Sequence, residues 1–168
     1  FRLGSFLAGG GNFNGLIDEV AVYHRVLSVD EINKYYHEGI GRVGHWRMDN
    51  AWTDASGNGN NGTAYNGATF STNARVGSHA GSFDGVNDYV TVKSSAIIAN
   101  SSQSTIEAWV NPASFGSVRR IYSENSSGGA VFVLSIESAG GAALSIWRTD
   151  ISGNWVTVTS DTILQLNS

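Results

Sequence analysis

The feature that most constrains this chain is a succession of short alternating segments. "AGSFDGVNDYVTVK", "STIEAWVNP", "RRIYSEN", "AVFVLSIES", "AALSIWRT" and "WVTVTSD" each interleave β-branched or aromatic residues with polar ones, and each stops at Gly, Asn, Asp, Ser or Pro. A period of two is the signature of a strand with one face against a core. The stretch "DASGNGNNGTAYNGA" packs four Gly and five Asn or Asp into fifteen residues, a composition that suits turns with positive φ and no regular element. The chain is therefore expected to be all-β. Its 168 residues leave room for one domain with a sizeable core, or for one partial and one nearly complete domain, but not for two full sandwiches.

The front of the chain breaks the pattern once. "LIDEVAVY" (16–23) alternates like a strand, and then "LSVDEINKYYHEG" changes period. Ser28 can cap a helix whose Glu31 reaches back to complete a capping box, while Val29, Ile32 and Tyr36 fall on one face and Gly39 supplies the stop. One short helix is expected near residues 29–38. "GIGR" then reads as a linker, and "VGHWRMD" opens a fresh strand pattern.

Charge and composition exclude several partners. The net charge is −4 and no run of Lys or Arg occurs, so there is no electrostatic footprint for nucleic acid or an anionic membrane. Without Cys there are no disulfides and no thiolate ligands. No apolar run approaches a membrane-spanning length, so membrane insertion is not expected; no signal peptide is seen and the chain starts without Met, which leads us to expect processing or a fragment boundary.

Catalytic signals are weak. Glycoside hydrolysis needs two carboxylic acids across one bond. In "LIDEV", Asp18 and Glu19 are adjacent and are expected on opposite faces, and in "TIEAW" Glu107 stands alone. His24, His37, His45 and His79 lack zinc-ligand spacing, and no Ser sits in a nucleophile-elbow glycine pattern. No enzyme is expected. One oxygen-rich pattern stands out: in "DASGNGN", Asp54, Ser56, Asn58 and Asn60 alternate as in a calcium loop, though without the closing Glu, and a plain turn-rich loop reads equally well. Trp46, Trp109 and Trp147 alternate with apolar partners and are expected in the core, whereas Trp52 and Trp155 lie beside turns and are the candidate glycan-stacking pair. Asn61, Asn100 and Asn125 head glycosylation-type triplets.

"WRMDNAWTDASGNGNNGTAYNGATF", "GSFDGVNDYVTVK" and "STIEAWVNP" resemble the successive first strands of a laminin G-like domain, a member of the concanavalin A-like jelly rolls to which pentraxins are related. "FNGLIDEVAVYHRVLSVDEINKYY" resembles the same family's closing strand and helix. The resemblance implies an antiparallel two-sheet sandwich, but with the family's end placed first. Residues 1–41 would be the closing strand and helix of a unit and 42–168 the first two-thirds of one. A cut between tandem units, a circular permutation and strand exchange with a neighbour all fit that order.

The resemblance also implies a structural calcium, with Asp18 and Asp49 as ligands and Asp84 and Asp88 at the rim. The Glu, Asp and Glu that the fold's glucanases carry at alternating strand positions have no counterpart here. The expected function is that of a non-catalytic extracellular or cell-surface structural or adhesive module in a repeat protein or filament, joined to other copies or neighbouring repeats. The alternative is a carbohydrate-binding module that recognises glycans with the help of calcium.

Overall fold

The computed structural model describes residues 1–6, 11–23, 25–28, 30–32, 42–92, 104–114, 117–125, 131–136, 144–149 and 155–159. Twelve strands run through them: β1 (Arg2–Leu3), β2 (Asn14–Tyr23), β3 (Arg42–Trp46), β4 (Gly62–Tyr65), β5 (Thr69–Ser71), β6 (Ala80–Asp84), β7 (Tyr89–Val92), β8 (Thr105–Pro112), β9 (Arg119–Asn125), β10 (Val131–Ile136), β11 (Leu144–Thr149) and β12 (Trp155–Thr159). They form two antiparallel sheets. One has seven strands in the order β12-β11-β10-β9-β1-β7-β4; the other has five, β3-β2-β6-β5 with β8 added to β2. The chain is an all-β sandwich.

The early strands lie inside these sheets. β1 sits between β7 and β9, with Arg2 opposite Thr91 and Ser123. β2 is the hub of the other sheet. β6 lies along its residues 14–17 and β3 along 20–23 on one edge, while β8 follows the opposite edge from Gly15 to Tyr23. Residues 1–41 and 42–168, which the sequence pattern divides, thus contribute strands to the same two sheets.

Alternation explains the core. Leu3, Phe13, Ile17, Val20, Val22, Trp46, Met48, Phe83, Val90 and Tyr122 meet between the sheets, each at most 2 % exposed. Phe1 packs edge-on against Trp46 at 5.3 Å and against Tyr122 at 4.5 Å. The buried Trp46 indole donates to the Asn60 carbonyl at 2.8 Å, so no polar atom of that ring is left unsatisfied.

β2 departs from strict alternation once. Asp18 lies opposite Trp109 and Ala21 opposite Glu107, so β2 carries one residue more than β8 between those pairs. Glu19 takes up the extra residue with φ +50°, which makes this a β-bulge. Asp18 and Glu19 therefore do not face opposite sides as simple alternation requires. Ile17 and Val20 both point into the core, and the two carboxylates between them point outward.

The helix begins as its cap dictates. Residues 30–32 are helical, the Glu31 N–H donates to Ser28 Oγ at 3.2 Å, and the Ser28 N–H donates to Glu31 Oε2 at 3.0 Å. Arg25 at 3.0 Å and the Ser28 N–H hold the Glu31 carboxyl down to a pKa of about 2. The rest of the expected helix, with Val29 and Tyr36, lies outside the described residues.

Candidate functional site

The parity of β8 divides its side chains between two environments. Ile106, Ala108 and Val110 turn inward against the core, while Thr105, Glu107 and Trp109 turn outward. On the outward face a chain of polar contacts crosses three strands. Arg42 Nε donates to the Tyr23 hydroxyl at 2.9 Å, and that hydroxyl donates to Glu107 Oε2 at 3.3 Å. Arg42 Nη1 lies 2.5 Å from His45 Nδ1, and His45 Nε2 meets Glu19 Oε2. A guanidinium only donates, so His45 Nδ1 is the acceptor and Nε2 carries the proton toward Glu19. Arg47 stands 3.9 Å from the other Glu19 oxygen. The bulge creates this arrangement, because it brings Glu19 onto the face that His45 occupies.

Glu107 is the strained member of the group. Its Oε1 is buried and has no hydrogen-bond partner among the described residues. Burial pushes its pKa up, against the opposing pull of the Tyr23 hydroxyl, Arg42 and His45. A buried carboxylate oxygen is a strong acceptor, and this one faces the groove with no donor among the described residues.

The far edge of β8 is open: among the described residues, β8 pairs only with β2. A groove of about 380 Å³ wraps that edge. Its inner wall is Ile106, Ala108, Val110, Ile121 and Leu134, and its outer wall carries Glu19, Arg42, His45, Glu107 and Trp109. Trp109, expected in the core, is 44 % exposed, with the Arg75 guanidinium 4.8 Å from its ring centroid. Core positions of β8 are only half-buried because no described strand covers their flank.

Trp52 moves the other way. It stacks on Phe70 at 4.4 Å and lies against Phe83, and its ring comes so close to Gly81 that a Cβ there would stand 2.9 Å from it. The exposed position expected for Trp52 is thus a packed one, since the turn that carries it folds back over the sheet. The Trp155 and Trp147 side chains lie outside the described residues, as do His24, His37 and Asn100.

The five candidate calcium ligands hold loops. Asp18 Oδ2 accepts the N–H groups of Arg75 and Val76, each at 3.1 Å, and Asp49 Oδ1 accepts those of Ser78 at 2.6 Å and His79 at 3.2 Å. The two aspartates, one on β2 and one after β3, therefore anchor the same 75–79 loop. Asp54 accepts from the N–H groups of His45, Ser56 and Asn60 at 2.9–3.0 Å, and these bonds outweigh burial and depress its pKa. Asn58 and Asn60 turn their amide donors, not their oxygens, to the Arg42 and Val43 carbonyls. Asp84 accepts from Val86 and Asp88 from Asp84. Among the described residues no three His, Cys, Asp or Glu converge. Two oxygens stay open: Asp18 Oδ1 and Asp88 Oδ1 are buried without a partner, and burial raises the pKa of both groups.

Sequence reasoning weighed Glu19 and Glu107 only as catalytic carboxylates and His45 only as a zinc ligand, and set all three aside; their grouping with Arg42 and Tyr23 was missed. Alternation alone does not reveal it: Arg42 and His45 are three residues apart on β3 and share a face only because the register with β2 shifts between Gly44 and Arg42, and Tyr23 and Glu107 join them only once the strands are paired.

No curated protein and no solved structure matches the chain. The family model described as the concanavalin A-like lectin/glucanases superfamily, in its laminin G form, matches residues 84–168, from the end of β6 onward. That match spans half of the chain and agrees with the two antiparallel sheets, so this protein belongs to the laminin G-like branch of the concanavalin A-like lectin/glucanase superfamily.

Proposed function

We propose that this chain is a non-catalytic extracellular structural or adhesive module, a unit of a repeat protein or filament that joins its neighbours by strand complementation. The open edge of β8 carries this reading. An edge strand with half-buried apolar side chains on one side is a template for a further strand, and soluble proteins ordinarily blunt such edges with charge, Pro or a cover. β8 carries one charge, Glu107, on its outward side, but places Ala108 and Val110 on the inward side, and its single Pro112 is at the end, already opposite Gly15. The family supports a binding role in general terms. No helix among the described residues is long and apolar enough to cross a membrane.

Light scattering over a wide concentration range, combined with hydrogen exchange, tests this. We expect concentration-dependent assembly in which the amides of residues 105–112 gain protection. Assembly that leaves those amides unprotected would move the interface elsewhere and remove the basis of the proposal.

Glycan recognition is the second reading, and the half-exposed Trp109 beside Glu107 favours it over the packed Trp52. Calcium belongs to the same proposal. Asp18 and Asp88, each with one buried oxygen that lacks a partner among the described residues, are the aspartates that fit a hard cation best, and Asp54, with both oxygens engaged, fits it least. A calcium-dependent rise in Tm that is absent from Asp18→Asn is the expected result; an equal rise in both proteins would place the ion away from Asp18.

A further inference from the structure

The edge of β8 that no described strand pairs has two unlike walls, and together they specify what an incoming strand must carry. Resting on the reading of β8 as a strand acceptor, we propose that the accepted strand alternates apolar and basic residues, with a Lys or Arg opposite Glu107 and apolar residues on either side of it. Each half of that pattern comes from a separate observation.

The apolar half follows from the inner wall. A strand paired with β8 places alternate side chains on the same side as Ile106, Ala108 and Val110, where Ile121 and Leu134 line the groove. Polar residues there would lose their water without gaining partners.

The basic half follows from the outer wall. The residue directly opposite Glu107 brings its Cβ within about 5 Å, well inside the reach of a Lys or Arg side chain. Glu107 Oε1 is buried and lacks a donor, and the nearby cations are committed: Arg42 to Tyr23 and His45, Arg75 to the Trp109 ring. A cation from the new strand supplies the missing donor in charge-assisted form and lies beside Trp109, on the same face and half-exposed. A symmetric pairing of β8 with the β8 of a second copy does not do this. It brings a second Glu107 to the same face and leaves both oxygens without a donor.

Three peptides with one apolar alternation and a single changed outward residue, Arg, Gln or Glu, test the proposal by titration calorimetry and tryptophan fluorescence on the intact chain. We expect the Arg peptide to bind about tenfold more tightly than the Gln peptide and the Glu peptide most weakly, since one charge-assisted contact is enough for such a factor. In Glu107→Gln, checked for folding by circular dichroism, the Arg preference should disappear while apolar-driven binding persists. Equal affinities of the Arg and Gln peptides for the wild-type chain would overturn the charge rule and leave strand addition standing. If no peptide binds and the chain shows no protection of β8 on assembly, strand addition itself fails. A two-fold β8–β8 dimer that excludes the Arg peptide would also overturn the proposal, with a second copy as the occupant.

Discussion

The two edges of β2 form the sharpest contrast in the molecule. Along one edge, β3 and β6 seal the sheet: Trp46 and Phe83 are almost wholly buried, and Asp54 answers the His45 N–H of β3 and those of Ser56 and Asn60 in the loop that follows. Along the other edge, β8 keeps Ile106, Ala108 and Val110 half-covered, leaves Trp109 in solvent and holds a carboxylate oxygen with no donor. The same alternating sequence pattern made both. What differs is whether a neighbour covers the flank, so exposure of a strand's apolar face reports on the pairing of its edge and not on its own composition.

The largest expected effect breaks the sealed side. Trp46→Ala removes a fully buried indole and its bond to Asn60, and should cost about 3–5 kcal/mol in urea denaturation. Val110→Ala, on the open side, should cost about 1 kcal/mol, because much of the lost surface was never dry. A loss at Val110 of about 2–3 kcal/mol, as for a fully buried valine, would mean that the edge of β8 is closed in solution.

Asp54→Ala comes next. It strips the partner from three N–H groups and should cost about 1–3 kcal/mol at neutral pH. Asp54 has a pKa below its ordinary value, so its contribution is present above about pH 4 and is lost as pH falls through the depressed pKa. The difference between wild type and variant should therefore shrink in acid; a constant difference would show that packing, not charge, sets it.

Glu107→Gln should have the smallest effect on stability and the opposite pH dependence. Its pKa is raised, chiefly by burial, so the folded state holds the proton more tightly than the unfolded one. The charge thus lowers stability at neutral pH, and that penalty is relieved as pH falls through the raised value toward about 4.3. Denaturation curves across this window should show wild type gaining stability on acidification relative to the variant, which keeps the contributions of Asp18, Asp54 and Asp88, with the variant no less stable than wild type at neutral pH. A variant much weaker than wild type at neutral pH would mean that Glu107 Oε1 has a donor, besides the Tyr23 hydroxyl on Oε2.

The class of fold was legible because alternation and turn composition are local properties. The strands from "AGSFD" to "WVTVT" and the Ser28–Glu31 capping box all stand where their residues place them. The site was less legible, for reasons that are not local. Nothing in "LIDEV" signals that Glu19 will adopt positive φ, yet that bulge decides which carboxylates share a face. Trp46 and Trp109 look alike in sequence, and Trp52 stands apart from them only by lying beside turns. Trp52 is covered because its loop folds over Gly81, and Trp109 is exposed because no described strand lies beside it.

The place of β2 at the hub has a kinetic consequence. Its partner β8 lies some ninety residues further along the chain, a stretch that takes roughly 5–20 s to synthesise on a ribosome. Through that interval a ten-residue apolar strand waits with neither edge fully satisfied. A topology dominated by such distant pairings closes slowly, so the nascent chain is most vulnerable to misassociation before its own β8 has emerged.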